Sequence, residues 1–313
     1  MKCHLCGSDA SVLLTERLRS GPGRVWYCEA CGLGMLEDAR QDSRQFYDGE
    51  YRKRFGPDLS RPSGYPEIFS AYVGYQDRRL SLLLPHLHPG MRLLEVGCST
   101  GHFLHHIRNH VQEAIGVDYD SGAAGYAASV TGCRTYGCSL EETDLEKGSF
   151  DVVCAIQTLE HVGDPTGFIR LLSRYLRPGG ILYIEVPNLQ DPLLALYRNR
   201  AYHDFYFHEA HLFYFTPRSL GQVMEKAGMA GEIRFFQDYS ILNHLHWVFR
   251  DRPQATCHEG LSSPRLPVDP GAPAGLKGDL ESFWSETDSR YREILARYGY
   301  TDNMAFIGQR AGS

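Results

Sequence analysis

Residues 93–104 combine an apolar run, a glycine-containing loop and the start of an amphipathic segment, and a second apolar run ends at Asp118, 17 residues after Gly101. Strand, loop, helix and strand follow one another in this way at nucleotide sites. The glycines let the backbone approach a ligand, and a carboxylate about 20 residues further on is placed to bind ribose hydroxyls. Glu95 precedes the loop, where a carboxylate repels pyrophosphate but attracts an ammonium and a sulfonium group. The segment predicts a site for a cationic nucleoside.

The glycine spacing argues against a dinucleotide. Gly97 and Gly101 are separated by three residues and no third glycine follows. Dinucleotide folds need G-x-G-x-x-G so that the pyrophosphate lies on a helix N-terminus. A dinucleotide-dependent oxidoreductase is therefore the least favoured function.

A second group of reactive side chains lies in residues 206–217, where two histidines and a carboxylate stand among aromatic residues. Burial and neighbouring charge can bring an imidazole to a near-neutral pKa, which suits a general base. His161, which follows the strand predicted at 151–156, is a further candidate, although a histidine that only fixes the local backbone explains it equally well. The candidates from the loop itself are Tyr206, His208, Glu209 and His211.

Two C-x₂-C-G knuckles, separated by 21 residues, contain Cys3, Cys6, Cys28 and Cys31. Four thiolates at this spacing are the ligand set of a tetrahedral Zn²⁺, and the glycine after each pair relieves the backbone as it bends around the metal. A closed set of four leaves no open coordination position, so we expect a structural rather than a catalytic zinc. A redox dithiol, which needs only one pair, is the weaker interpretation.

Composition places the chain among globular proteins. Its 313 residues are 42% hydrophobic and 22% charged, and the formal net charge is −6. An acidic balance without a broad Lys/Arg cluster does not favour nucleic-acid binding, and no apolar run reaches membrane-spanning length. We expect a cytoplasmic protein, because no secretory leader precedes Cys3 and nine cysteines in such a chain favour free thiols and metal ligands over disulfides. The acidic net charge favours a small or neutral acceptor molecule.

Strands and helices alternate from Met91 onward. This pattern predicts the α/β class, with a parallel sheet covered by helices on both faces and ligands at the carboxyl ends of its strands. The predicted strands are 91–96, 112–118, 133–136, 151–156, 180–186, 231–237 and 303–309. The predicted helices lie near 68–84, 101–110, 121–130, 165–176 and 217–228.

The chain divides into three predicted parts. Residues 1–40 are a cysteine-bearing appendage with little apolar periodicity, which depends on its metal to fold. Residues 41–90 are a helical entry segment that covers the core, and 91–313 are the α/β domain. Two long insertions, 188–215 and 241–302, interrupt the alternation, and loops of this length are typical of active-site lids or of disordered segments.

The loop at 95–101 resembles motif I of class I S-adenosylmethionine (SAM) methyltransferases, whose pattern is acid-x-Gly-x-Gly-x-Gly; Ser99 replaces the middle glycine. The resemblance implies a Rossmann-like fold with a seven-stranded sheet, SAM as methyl donor, Glu95 on the methionine ammonium and Asp118 on the ribose. Cys138 stands where the family carries an acid that meets the adenine amino group, so adenine is expected to rest on backbone groups and apolar contacts. The cofactor contacts implied are Glu95, Gly97, Cys98, Ser99, Gly101, Asp118, Tyr119, Cys138, Ser139 and Gln157.

Residues 206–217 resemble the His-Glu-(x)-His-Leu-x-Tyr-Phe stretch of sugar methyltransferases, including zinc-knuckle enzymes that methylate carbon 3 of nucleotide-linked deoxysugars. The resemblance covers residues 1–235, places His211 at their general-base position, and implies in-line transfer to a sugar, a nucleotide-sugar or a similar natural-product intermediate. Ala210 interrupts the Glu-His pair of the carbon-methylating enzymes. A counterpart of their further C-terminal domain is not expected here.

Two other functions stay open at this point. An RNA methyltransferase that uses the knuckle on nucleic acid is favoured by Arg17, Arg19 and Arg24 but opposed by the acidic net charge. A SAM-binding module without catalysis is opposed by the histidine and carboxylate loop. The sequence leaves open carbon, oxygen or nitrogen methylation and the oligomeric state.

Overall fold

Two β-sheets organise residues 1–37 and 54–312, the part of the chain that the computed structural model describes. The first part of the predicted entry segment, up to residue 53, lies outside these described residues. The strands are β1 Ser11–Leu18, β2 Gly21–Cys28, β3 Gly34–Leu36, β4 Arg92–Val96, β5 Glu113–Val117, β6 Arg134–Tyr136, β7 Phe150–Ile156, β8 Leu176–Pro187, β9 Phe213–Tyr214, β10 Met229–Phe236 and β11 Asn303–Arg310.

The larger sheet has seven strands in the order β10-β11-β8-β7-β4-β5-β6, and all seven are strands that the alternation predicts. Strands β6, β5, β4, β7 and β8 run parallel, whereas β11 is antiparallel to both of its neighbours. The expectation of an entirely parallel sheet is therefore wrong for β11. The helix before it brings the chain to the carboxyl edge of the sheet, where Asn303 at the start of β11 pairs with Pro187 at the end of β8.

Helices cover both faces of this sheet, because neighbouring residues of a strand point to opposite sides. The helices are α1 Tyr65–Tyr72, α2 Asp77–Leu83, α3 His102–Ile107, α4 Ser121–Thr131, α5 Pro165–Ser173, α6 Pro192–Ala195, α7 Arg200–Tyr206, α8 Pro217–Lys226, α9 Ile241–Arg250, α10 Cys257–Leu261 and α11 Ala274–Tyr298. Leu94 and Val153 belong to the core that includes residues of α5 and α8. Leu93 and Val152 belong to the opposite core, which includes residues of α2 and α3.

The helix predicted over 68–84 is divided in the structure. A 3₁₀ turn at Val73–Tyr75 separates α1 from α2, and a second 3₁₀ turn, Leu84–His86, follows α2. Gly74 lies in the first turn, where its low helix propensity favours an interruption. The division brings Tyr75 and Arg79 to the carboxyl edge of the sheet, where both line the cavity described below.

The cysteine-bearing appendage forms the smaller sheet, with the antiparallel order β1-β2-β3-β9. Its fourth strand comes from the predicted insertion 188–215: Gly34 pairs with Tyr214, and Met35 pairs with Phe213. Apolar residues of this sheet also share one core with the larger sheet. The appendage is therefore joined to the histidine-containing loop by backbone hydrogen bonds and by apolar packing.

A buried ion pair fixes α2 over the end of β8. Arg79 Nε donates to Glu185 Oε2 at 2.7 Å, its Nη2 contacts Glu185 Oε1, and the Glu185 side chain is fully buried. The Tyr183 hydroxyl donates to the same carboxylate at 3.1 Å. A bidentate pair with an additional donor satisfies the buried charge and sets the position of the helix.

Arg79→Met is expected to lower the free energy of unfolding by about 3–5 kcal/mol, because it leaves the buried Glu185 carboxylate without its cation. Arg234→Met is the matched control. Arg234 pairs with Glu232 at the surface, where both side chains are more than half exposed, and such pairs contribute less than about 1 kcal/mol. Urea denaturation measures both variants. Equal losses would contradict this account of the buried pair.

Candidate active site

A cavity of about 660 Å³ lies at the carboxyl ends of β4, β5 and β7, the edge at which α/β folds bind their ligands. Most of the residues predicted to bind the cofactor line this cavity, whereas Cys98 and Gly101, which belong to the loop after β4, do not. The predicted residues that line it are Glu95, Gly97, Ser99, Asp118, Tyr119, Cys138, Ser139 and Gln157.

The loop after β4 adopts a left-handed backbone at three alternate positions. The φ angle is +82° at Gly97, +51° at Ser99 and +80° at Gly101. A Cβ on Gly97 would lie 2.2 Å from Thr158 Oγ1, and one on Gly101 would lie 2.8 Å from Ala127 Cβ. Glycine is therefore needed here for backbone conformation and internal packing, in addition to the ligand approach that the spacing suggests.

Asp118 follows β5 and connects two loops at the edge of the cavity. Its Oδ2 accepts a hydrogen bond from the Ser99 amide at 2.7 Å, and its Oδ1 accepts one from the Asp120 amide at 2.9 Å. These backbone donors hold the carboxylate in place beside the motif loop. The predicted ribose-binding group and the glycine loop thus form one unit.

Glu95 places a buried carboxyl group on the wall of the same cavity. Its side chain is 2% exposed, and Oε2 has no hydrogen-bond partner among the described residues. Burial raises the pKa of Glu95 well above its ordinary value, and the nearby Arg79 opposes that shift. A buried acceptor of this kind suits a ligand that brings a positive charge or an N–H donor.

Gln157 belongs to the polar floor of the cavity. It directly follows β7 and has a φ of +51°, and its side-chain amide donates to Glu185 Oε1 at 3.1 Å and to Asn303 Oδ1 at 2.9 Å. The left-handed backbone turns the side chain toward β8 and β11. The Arg79–Glu185 pair, Gln157 and Asn303 therefore form one hydrogen-bonded network.

Three titratable side chains meet on another wall of the cavity: Glu160, His161 and His211. Glu160 Oε1 lies 3.7 Å from Nε2 of His161 and 3.9 Å from Nε2 of His211. Burial raises the pKa of Glu160 to about 8 and lowers the pKa of His161 to about 4. Burial also lowers the pKa of His211 well below its ordinary value. Both imidazoles are therefore neutral near pH 7, as a proton acceptor must be.

The sequence analysis missed Glu160. The residue lies in the 3₁₀ turn Leu159–His161 that follows β7, so it directly precedes the candidate histidine His161. A carboxylate next to a candidate histidine is the one signal in the sequence that could have identified it. The proximity of Glu160 to His211 depends on the tertiary fold.

The structure does not bring Glu209 to the histidines. Glu209 Oε2 accepts a hydrogen bond from Ser20 Oγ at 2.6 Å, and Oε1 lies 3.7 Å from Arg54 Nη1. The turn after α7 directs this carboxylate toward the β1–β2 hairpin. The carboxylate beside His211 is that of Glu160, which comes from a different part of the chain.

Two further candidates, Tyr206 and His208, lie behind the wall of the cavity and do not line it. The Tyr206 hydroxyl donates to the carbonyl of Asn188 at 3.2 Å. The His208 ring packs against the His211 ring with centroids 3.9 Å apart. Both side chains therefore support the loop from within, and His211 and His161 are the candidate histidines that reach the cavity.

Three hydrogen bonds hold the loop that carries His211. The Leu212 amide donates to the carbonyl of Glu160 at 2.8 Å, and the Leu36 amide donates to the carbonyl of Leu212 at 3.0 Å. His161 Nδ1 lies 2.7 Å from the carbonyl oxygen of Ala210. The loop is thus held between the turn after β7 and strand β3 of the smaller sheet.

The four predicted zinc ligands come together at one end of the smaller sheet. Cys3 Sγ lies 3.5 Å from Cys31 Sγ, Cys6 Sγ lies 3.6 Å from Cys28 Sγ, and all four sulfurs lie within 4.8 Å of one another. A tetrahedral zinc with Zn–S bonds of about 2.3 Å holds its sulfurs about 3.8 Å apart. The donor set fits that ion in chemistry and in size.

A family model described as a methyltransferase domain matches residues 71–231, just over half of the chain. The matched range contains the motif loop, Asp118 and the Glu160–His161 turn. The chain belongs to this methyltransferase-domain family. His211 and β9 also fall inside the methyltransferase domain, whereas the four cysteines precede it.

Curated relatives match parts of the chain. A probable S-adenosylmethionine-dependent methyltransferase of Mycolicibacterium smegmatis is 33% identical over 142 residues, which are 42% of this chain and 55% of that protein. A ubiquinone biosynthesis O-methyltransferase of Methylococcus capsulatus is 29% identical over 117 residues, 34% of this chain and 48% of that protein. The chain spans about half the length of these relatives.

Solved structures support the fold of the methyltransferase domain. A SAM-dependent methyltransferase from Archaeoglobus fulgidus aligns with a TM-score of 0.50 and 18% identity, covering 79% of this chain and 98% of that one. Phosphoethanolamine N-methyltransferase 2 of Haemonchus contortus aligns with a TM-score of 0.50 and 14% identity, covering 89% of this chain and 62% of that one. The Rossmann-like architecture expected from the sequence is confirmed. Among the described helices, none combines the length and the apolar character that crossing a bilayer would require.

Proposed function

We propose that this protein transfers the methyl group of SAM to a small-molecule acceptor. The observation that supports this most directly is the pair of carboxyl groups at the strand ends, Glu95 and Asp118, on one cavity within the family-matched range. Glu95 offers a buried acceptor without a partner among the described residues, which suits the methionine ammonium. Asp118 is held by backbone amides beside the loop, which suits the ribose.

The sulfonium of SAM supplies an activated methyl group, so the chain has to provide position and a proton acceptor rather than covalent help. Glu95 and Asp118 would bind the two ends of the donor, and Cys138 and Ser139 would lie along its adenine. The acceptor would enter between the polar floor and the Glu160–His161–His211 wall. A neutral imidazole there, first of all His211, would take the acceptor proton during in-line transfer.

A sugar or nucleotide-sugar is the proposed acceptor. The resemblance of residues 206–217 to sugar methyltransferases supports it, and so do the polar side chains that line the cavity, among them Gln157 and Asn303. Hydroxyl-rich acceptors need such hydrogen-bonding walls. The net charge of −6 argues against RNA as the acceptor.

We further propose that Cys3, Cys6, Cys28 and Cys31 bind one structural zinc ion. The ion would hold together a sheet whose fourth strand belongs to the His211 loop. Four metal-binding thiolates are maintained in a reducing compartment, so we place the protein in the cytoplasm.

Asp118→Ala is expected to weaken the binding of SAM and of S-adenosylhomocysteine alike by roughly 10-fold or more, because each charge-assisted hydrogen bond contributes roughly 1.5–3 kcal/mol. Asp144→Ala is the control, since the exposed Asp144 contacts Arg134 and Tyr136 outside this cavity. Titration calorimetry measures both variants. Binding of NAD but not of SAM by the wild-type protein would overturn the proposed function.

Purified protein should carry one zinc per chain, and Cys28→Ser should lose it, because a three-thiolate set binds the ion less well. Cys133→Ser is the matched control, as Cys133 lies outside the cluster. Elemental analysis counts the metal, and thermal unfolding should show a lower transition for the Cys28 variant only. Less than about half an equivalent of zinc in the wild-type protein would contradict the assignment.

His211→Ala should lower turnover by roughly 10²–10⁴-fold and leave SAM affinity nearly unchanged, since general-base catalysis is typically worth that much and the imidazole lies on the acceptor side. His110→Ala, at an exposed position after α3, should behave as wild type. Transfer of a labelled methyl group to a nucleoside-diphosphate-linked deoxysugar is the assay. Full activity of the His211 variant together with inactivity of His161→Ala would move the base to His161.

A further inference from the structure

Glu160 is a buried acid that the fold itself does not use. Its side chain is 1% exposed, and neither carboxyl oxygen has a hydrogen-bond partner among the described residues. Asp191, which is equally buried, accepts from the Leu193 amide at 2.7 Å and from the Tyr202 hydroxyl at 2.9 Å. Buried carboxyl groups with a structural role are partnered in this way. The exception at Glu160 occurs on the wall of the cavity, where a ligand can supply the missing donor.

The tautomer of His161 explains why the neutral histidine is not that donor. A carbonyl oxygen only accepts, so the contact of His161 Nδ1 with Ala210 fixes the ring proton on Nδ1. In the neutral ring, Nε2 is then a lone pair, and it faces Glu160 Oε1 at 3.7 Å. His211, whose Nε2 lies 3.9 Å from the same oxygen, becomes a donor to Glu160 when it is protonated on that nitrogen.

Glu160 lies beside the two imidazoles without a direct hydrogen bond to either. A direct bond would need about 2.8 Å, whereas the two Nε2 atoms lie 3.7 Å and 3.9 Å from Glu160 Oε1. A hydroxyl oxygen about 2.8 Å from His211 Nε2 can donate its single proton there, and the N–H that forms on that nitrogen then faces Glu160.

We propose that the acceptor group is a hydroxyl that donates its proton to His211 Nε2, and that Glu160 is the positioning residue that stabilises the imidazolium formed when this hydroxyl is methylated. The proposal rests on the proposed function and adds to it the acceptor group and a residue outside the histidine loop. The names of curated relatives include O-methyltransferases, which agrees with an oxygen acceptor.

The step balances in atoms and in charge. A lone pair of the hydroxyl oxygen forms the new O–CH₃ bond, and the methyl–sulfur bond breaks with its electron pair going to sulfur. The O–H proton passes to Nε2 of His211. The positive charge that leaves the sulfonium reappears on the imidazolium, beside the Glu160 carboxylate. A counter-charge at that point favours the product side of the transfer.

The proposal predicts the pH dependence of the step. The titratable groups that face Glu160 are His161 beside it, His211 from the loop and Glu185 from β8. Burial raises the pKa of Glu160 to about 8, and Glu185 adds to that shift. Below this pH the carboxyl group is neutral and offers no counter-charge, so turnover should rise with pH through about 8.

Glu160→Gln tests the proposal in the 313-residue chain, purified without removal of bound metal. With labelled SAM and a nucleoside-diphosphate-linked deoxysugar, we expect turnover to fall by roughly 10²–10³-fold. The rise through pH 8 should disappear, and SAM affinity should stay within about threefold. Glu160→Asp should recover part of the activity together with the pH-dependent rise. Asp191→Asn, which alters a partnered buried acid outside the cavity, should change stability but not the pH profile.

An infrared titration tests the same proposal without any acceptor. With S-adenosylhomocysteine bound, the wild-type minus Glu160→Gln difference spectrum should show a carboxyl band that titrates near pH 8. A band that titrates near pH 4, an unchanged pH profile in Glu160→Gln, or a second metal ion that this substitution removes would overturn the proposal. Failure of the wild-type protein to bind SAM would instead overturn the proposed function.

Discussion

The backbone hydrogen bonds of the segment around Leu212 are the interaction on which the site depends. Through them the loop is bonded on one side to the turn that contains Glu160 and on the other side to Leu36 of the smaller sheet. Next to the Leu36–Leu212 hydrogen bond, β3 and β9 also pair as antiparallel strands. The sheet for which we propose a structural zinc is thereby joined to the histidine on the cavity wall, so a metal bound there would act on the geometry of the site without lining the cavity.

Burial of polar groups at one edge of the sheet has two different outcomes. Glu185 is satisfied by Arg79 and Tyr183, and this network stabilises the floor of the cavity. Glu95 and Glu160 keep carboxyl oxygens without partners among the described residues. Leaving a buried acceptor unsatisfied costs stability, which is why we propose ligand-binding roles for these two positions.

The clearest predictions came from local constraints. The three alternate positions with positive φ at 97, 99 and 101 explain why the motif is recognisable from its glycine spacing, and Ser99 adopts the left-handed backbone that the middle glycine of the motif would favour. Seven strands follow from apolar runs and their turn residues. The antiparallel direction of β11 does not follow from these local features, because it depends on the edge of the sheet at which the chain leaves α11.

The sequence by itself determined the seven strands of the larger sheet, the glycine loop after β4 and the cysteine set, since each of these follows from residues close together in the chain or from ligand types with a fixed spacing. Only the tertiary structure decided which carboxylate accompanies His211. Glu209 is two residues away in sequence but faces Ser20, whereas Glu160 is distant in sequence and lies 3.9 Å away. Side-chain direction depends on the backbone of the turn and on the sheet that holds it. Neither is encoded in the spacing of reactive residues.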